Sequence, residues 1–122
     1  MNTFLLVFLG GGIGAVLRYG ISCLAPLKSA QFPWSTLVSN FLAALIAGAL
    51  VYSFKSLDPK KHLLLVTGFC GGLSTFSTFS VENIQLFQRG DWTWATCNIV
   101  LNTLLSLFAV WLFAQHSSVT AD

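Results

Sequence analysis

Residues 68–83 read "GFCGGLSTFSTFSVEN". They lie inside an apolar run long enough to cross a bilayer, yet they carry the pair Gly71-Gly72 and hydroxyls at Ser74, Thr75, Ser77, Thr78 and Ser80. Two glycines followed by Ser and Thr weaken a helical ladder. At membrane depth, non-helical backbone is tolerated only where it is buried in protein or lines a cavity. The expectation is a spanning helix broken near residues 71–74. Carbonyls freed at such a break are good ligands for a hard cation such as sodium. Beyond it, Phe76 and Phe79 are three apart and share one side of the resuming helix, with Ser77 and Thr78 between them and Ser80 and Glu82 following.

The rest of the chain supports a membrane setting. Of its 122 residues, 55% are hydrophobic and 8% charged, whereas a soluble domain carries about 25% charged residues. The mean hydropathy is +0.76. A spanning helix needs roughly 20 mostly apolar residues, and four such segments fit at 3–25, 33–54, 62–88 and 92–113. The fold class expected is an all-α integral membrane protein, with four transmembrane helices forming a single domain over residues 1–122. No basic region precedes the first segment, and Arg18 stands where signal cleavage would fall, so the segment reads as a retained helix.

Cys23, Cys70 and Cys97 have no metal-ligand spacing and read as packing residues. A net charge of +2, scattered along the chain, argues against nucleic acid as a partner. Trp34, Trp92 and Trp94 fall near segment ends, where amphipathic rings anchor at the interface with membrane lipid.

Orientation follows the side richer in Lys and Arg. With four spans, the N-terminus, the loop after the second segment and the C-terminus share a side, which carries Lys55, Lys60 and Lys61. The other side carries Lys28 and Arg89, joined by Arg18 near the far end of the first segment. Balanced charge leaves both insertions open, and two oppositely inserted copies pair as the inverted repeats of transporters do. The leading architecture is a dual-topology, antiparallel homodimer; one fixed orientation set by weak cues is the alternative.

Polar residues inside the spans are costly and mark a pathway or a partner. Arg18 follows Gly10, Gly11, Gly12 and Gly14, of which Gly10 and Gly14 form a G-x-x-x-G spacing suited to close helix approach. Arg18 either snorkels to the interface or draws an anion into a vestibule. The glycines are no dinucleotide fingerprint, since Leu17 replaces the third glycine. Asn40 in the second segment is either an interhelical hydrogen-bonding group or pore-lining. Asn98, Asn102 and Ser106 recur every fourth residue and form a polar stripe on one face. The stripe fits a hydrated or ion-lined path better than helix glue.

Phe76 and Phe79 at helical spacing are commonly core. Their positive ring edges beside hydroxyl donors also suit a small anion without a fixed cation, and conduction needs binding weak enough to release. Glu82, near a segment end, has a solvated carboxylate as its default.

Taken together, "GGLSTFSTFSVE" at 71–82, "GGGIGAVLRY" at 10–19 and "TLVSN" at 36–40 resemble, in order and spacing, the motifs of the Fluc (CrcB) fluoride channels. The resemblance spans nearly the whole chain. It implies a dual-topology homodimer in the bacterial plasma (inner) membrane that exports fluoride passively. It also implies a structural sodium ion at the dimer centre, held by the backbone carbonyls of Gly71 and Ser74. By motif position, the fluoride path would be lined by Phe76, Phe79, Ser77, Thr78 and Asn40, with Arg18 in the vestibule and Glu82 as an accessory residue. Asn98, Asn102 and Ser106 would extend that path. Ala43 and Ala44 replace the Gly and Ser common in relatives, and Asn98 stands near a position where some relatives carry Tyr.

Two other functions fit the size of the chain. A small multidrug-type proton antiporter would carry a carboxylate in its first span, where this chain has Arg18; its only carboxylate within a span is Glu82. A non-transporting assembly protein would use the polar stripes as glue. An intramembrane enzyme lacks a base, since His62 and His116 lie at segment ends and none stands beside the Ser and Thr residues.

Overall fold

The computed structural model of the protein describes residues 2–24, 27 and 31–118. Lys28, counted above toward orientation, and Ala25, at the end of the expected first span, lie outside the described residues.

Helix α1, Thr3–Ser22, begins where the Asn2 side chain accepts the Phe4 N–H at 2.9 Å, satisfying one of the first-turn amides that a helix leaves without an internal partner. Helix α2 spans Trp34–Ser53, α-helical over Trp34–Gly48 and π-helical over Ala49–Ser53. The third span, Pro59–Gln88, is 30 residues long and divides in two. Its first part, α3, covers residues 59–73: a turn at Pro59–His62, a π-helical stretch at Leu63–Cys70 and an α-helical end at Gly71–Leu73. Its second part, α4, is Phe76–Gln88. Helix α5, Trp92–Ser118, closes the chain.

The third span starts earlier than the expected residue 62, because Pro59 occupies the first helical turn, where its missing N–H costs nothing. Lys60 and Lys61 are thereby taken into the helix rather than left in a loop. The turn from α4 to α5 needs a left-handed residue, and Gly90 supplies it at φ +80°.

Helix α1 packs along α3 through backbone-to-backbone contact. A Cβ at Gly10 would strike Leu64 O and lie 3.1 Å from Gly68 Cα; one at Gly14 would strike Phe69 O and lie 2.8 Å from Leu73 N. Register advances in the same direction along both helices, so they run parallel. The G-x-x-x-G spacing read in the sequence is the α1 half of this seam, and Gly68 and Gly72 are the α3 half.

Helix α2 lies against α5, where a Cβ at Gly48 would come within 3.0 Å of both Phe113 Cδ2 and Val110 Cα. Ile21, Ala43 and Leu73 form a buried cluster joining α1, α2 and α3, flanked by Val38, Ile46 and Phe69. The outward faces carry exposed Phe4, Phe8, Val16, Leu107 and Trp111, an arrangement costly in water and expected in lipid.

Candidate ion pathway at the helix break

The third span breaks at two extended residues, Ser74 (φ −80°, ψ 156°) and Thr75 (φ −152°, ψ 112°). Gly71 and Gly72 lie before the break and are helical. Their roles differ. A Cβ at Gly72 would strike Gly11 O and come within 3.0 Å of Gly11 C, whereas a Cβ at Gly71 would meet nothing within 4 Å. Gly72 therefore allows the α1 seam to close, and Gly71 leaves an open face beside the break.

Three side chains hold the opened backbone. The Thr75 N–H, which an unbroken helix would direct to the Gly71 carbonyl, donates instead to Asn40 Oδ1 at 2.8 Å. Asn40 Nδ2 returns a longer bond to Thr75 O at 3.4 Å. Arg18 Nε donates to Gly72 O at 3.0 Å, placing a cation at the negative end of α3. Thr75 starts α4, its Oγ1 accepting the Thr78 N–H at 3.2 Å and donating to Thr78 Oγ1 at 3.0 Å.

Beside the break lies an open groove of about 500 Å³, whose lining includes Asn40, Gly71, Ser74, Thr75, Phe76, Phe79, Asn102 and Ser106. The rings of Phe76 and Phe79 are 5.5 Å apart, centroid to centroid, and tilted by 40°. Phe76 is 79% exposed. The groove thus gathers much of the set expected from the sequence, but not all of it. Arg18, Ser77, Thr78 and Asn98 are outside its lining.

Glu82 belongs to a second pocket, of about 370 Å³, with Ser35, Gln85 and Arg89 among its walls. Its Oε1 accepts the Thr36 hydroxyl at 2.7 Å, while Oε2 is buried with no hydrogen-bond partner among the described residues. The carboxylate is held between α2 and α4 rather than left in solvent.

The stripe on α5 is occupied by its own hydrogen bonds. Asn98 is fully buried and Asn102 nearly so. Asn102 Oδ1 accepts from Asn40 Nδ2 at 2.9 Å, and Asn102 Nδ2 donates to Asn98 Oδ1 at 2.6 Å. Asn98 Nδ2 donates to Asn83 Oδ1 at 2.8 Å. Thr36 and Asn83 were not singled out from the sequence, and Thr75 was read as weakening the third span but not as the cap of α4. For Thr75 a signal existed, a hydroxyl residue directly before a resuming helix; for Thr36 and Asn83 the partners lie on other helices.

Comparison with known proteins bears on the same stretch. The family described as "CrcB-like protein, Camphor Resistance (CrcB)" matches residues 5–114. The chain belongs to the CrcB family. Similar members include fluoride-specific ion channel FluC 1 of Yersinia pseudotuberculosis, 48% identical over 109 residues that cover 87% of this chain and 86% of the relative. Fluoride-specific ion channel FluC of Serratia proteamaculans is 43% identical over 126 residues, covering 94% and 99%. That of Shewanella baltica is 44% identical over 118 residues, covering 94% and 95%. These CrcB relatives are named as ion channels, not as enzymes. With four helical spans among the described residues long and apolar enough to cross a bilayer, this CrcB chain is a multi-pass membrane protein.

Proposed function

We propose that the protein is a fluoride-selective, passive anion channel of the bacterial inner membrane, working as an antiparallel homodimer. The observation that carries this reading is the broken third span, which sets Phe76 and Phe79 on an open groove beside Ser74, Asn102 and Ser106, in a chain whose relatives across most of its length are named fluoride-specific ion channels.

Fluoride enters cells as neutral hydrogen fluoride from acid surroundings and is trapped as the anion once deprotonated. A negative interior favours its exit by about 2.3 kcal/mol per 100 mV, so a pore is enough. Water around the ion would be replaced by the positive ring edges of Phe76 and Phe79 and by hydroxyls, with Ser77 and Thr78 following the first ring along α4. Asn40 keeps its Oδ1 and its bond to Asn102; its long bond to Thr75 O, at 3.4 Å, is the one an anion would displace. Arg18 supplies positive potential near the path while bonded to Gly72 O. Release stays fast because, among the described residues, no fixed cation lines the groove itself.

A sodium ion fits the break. Gly71 and Ser74 both face the groove, the space at Gly71 is open, and Thr75 gives its N–H to Asn40 instead of Gly71. The carbonyls of Gly71 and Ser74 would hold the ion as hard oxygen donors. When bound, it would supply positive charge at the break and tie the subunits together. The homodimer accounts for the exposure of Phe76, since a second copy would cover a ring the single subunit leaves bare.

The experiment replaces both rings. Purified Phe76→Ile/Phe79→Ile protein that elutes and melts like wild type is expected to lose fluoride efflux from liposomes by at least about tenfold, equivalent to about 1.4 kcal/mol in the barrier. Unchanged flux in the folded variant would remove the rings from the path.

A further inference from the structure

Four asparagine side chains run as one line of hydrogen bonds from the break into the bundle. Asn40 on α2 donates to Asn102 on α5, Asn102 donates to Asn98 one turn earlier, and Asn98 donates to Asn83 on α4, at 2.9, 2.6 and 2.8 Å. An isolated carboxamide can turn over and exchange its donor and acceptor ends, but these cannot. The Thr75 N–H is a backbone donor with no acceptor form, and it points at Asn40 Oδ1. Asn40 must therefore offer Nδ2 to Asn102, which must offer Oδ1 in return and Nδ2 onward, and so to Asn83. One peptide group sets the polarity of four side chains.

The line also grips α4 at two points, the Thr75 peptide at its start and Asn83 further along. Phe76 and Phe79 lie between these points. Asn83, Asn98 and Asn102 are 5%, 0% and 6% exposed, so water cannot replace a lost bond there, and aligned amide dipoles strengthen one another in a low dielectric.

We propose that Asn83 and Asn98 are positioning residues that act through Asn102 and Asn40 on the Thr75 peptide. Through it they keep the break open and fix the roll of α4 that aims the paired rings. Neither is hydrogen-bonded to Thr75, whose partners among the described residues are Asn40, Ser77 and Thr78. A packing role alone would make their loss a local matter, whereas a continuous line transmits it to the break.

The test is amide hydrogen exchange at Thr75 in the purified full-length protein, read against amides of α1 in the same sample. Asn98→Leu and Asn83→Leu keep the number and branching of side-chain heavy atoms, remove both hydrogen-bonding ends and suit an apolar setting. Each is expected to speed Thr75 exchange by about tenfold, as loss of one supporting hydrogen bond would, with α1 unchanged. Asn83→Asp is expected to keep Thr75 protected, because the last member needs only an acceptor oxygen, which a carboxyl group provides in either protonation state. If Asn98→Leu does not fold, the two Asn83 variants decide the matter.

Unchanged Thr75 protection in the Leu variants would overturn the proposal. So would Asn83→Asp behaving like Asn83→Leu, or α1 amides accelerating together with Thr75. A second readout, a fall of about tenfold in liposome fluoride efflux for the Leu variants, rests on the proposed channel function. Wild-type silence in that assay would count against the channel and leave the exchange result standing.

Discussion

Adjacent glycines in the third span do different work. At Gly72 an added Cβ would run into the backbone of Gly11, and neither helix can yield without opening the seam. Gly72→Ala is expected to cost roughly 1–3 kcal/mol of stability, in the range of overpacked sites, read as a lower melting temperature in detergent. A melting temperature equal to wild type would mean that α1 and α3 are not in backbone contact. Arg18 makes a second case at this scale. Its bond to Gly72 O commits the guanidinium to the end of α3, so Arg18→Met leaves a part-buried carbonyl without its donor and is expected to destabilise the protein by about 1–3 kcal/mol. If Arg18→Met melts like wild type and only conduction falls, the residue serves the ion and not the helix end.

Helix α4 resumes within a span, and its start must be built rather than inherited from α3. Thr75 does so by accepting the Thr78 N–H. Thr75→Ala is expected to cost about 1 kcal/mol and to speed exchange of the Thr78 amide, while Thr75→Ser keeps both near wild type. Equal exchange in all three would show that the cap contributes nothing. The four spans were legible in the sequence because twenty-odd apolar residues in lipid leave few alternatives. The break was expected near residues 71–74 and falls at the far end of that stretch, at Ser74 and Thr75. Weak helix propensity pointed to the glycines, but close packing against α1 holds Gly72 in the helix and moves the break to Ser74 and Thr75. The π-helical stretches at Ala49–Ser53 and Leu63–Cys70 have no signature in these residue types. The Asn98 and Asn102 stripe was visible as a period of four; that its amides turn toward Asn83 and Asn40 depends on the roll of α4 and α2, which spacing along one helix cannot supply.

For the whole molecule, the groove at the break is open on one side and bounded there by an exposed Phe76. An ion and a second subunit, as proposed, would close it. Arg18 is bonded inside the protein, so the orientation count rests on Lys55, Lys60 and Lys61 against Lys28 and Arg89, a small difference that leaves dual insertion open. If a sodium ion joins the subunits, the purified wild-type protein melts at a higher temperature in sodium than in potassium. Gly71→Ala, which puts a methyl group into the open space beside the carbonyl, removes that difference. Identical melting of wild type in the two salts would contradict the sodium site. The most direct measurement of the central claim is anion efflux from liposomes holding the purified protein. Potassium gradients with valinomycin carry the counter-current, and fluoride and chloride are followed in parallel with selective electrodes. The account predicts rapid fluoride release with no chloride release above protein-free vesicles. Release of both anions at similar rates, or of neither from a well-folded preparation, would contradict it.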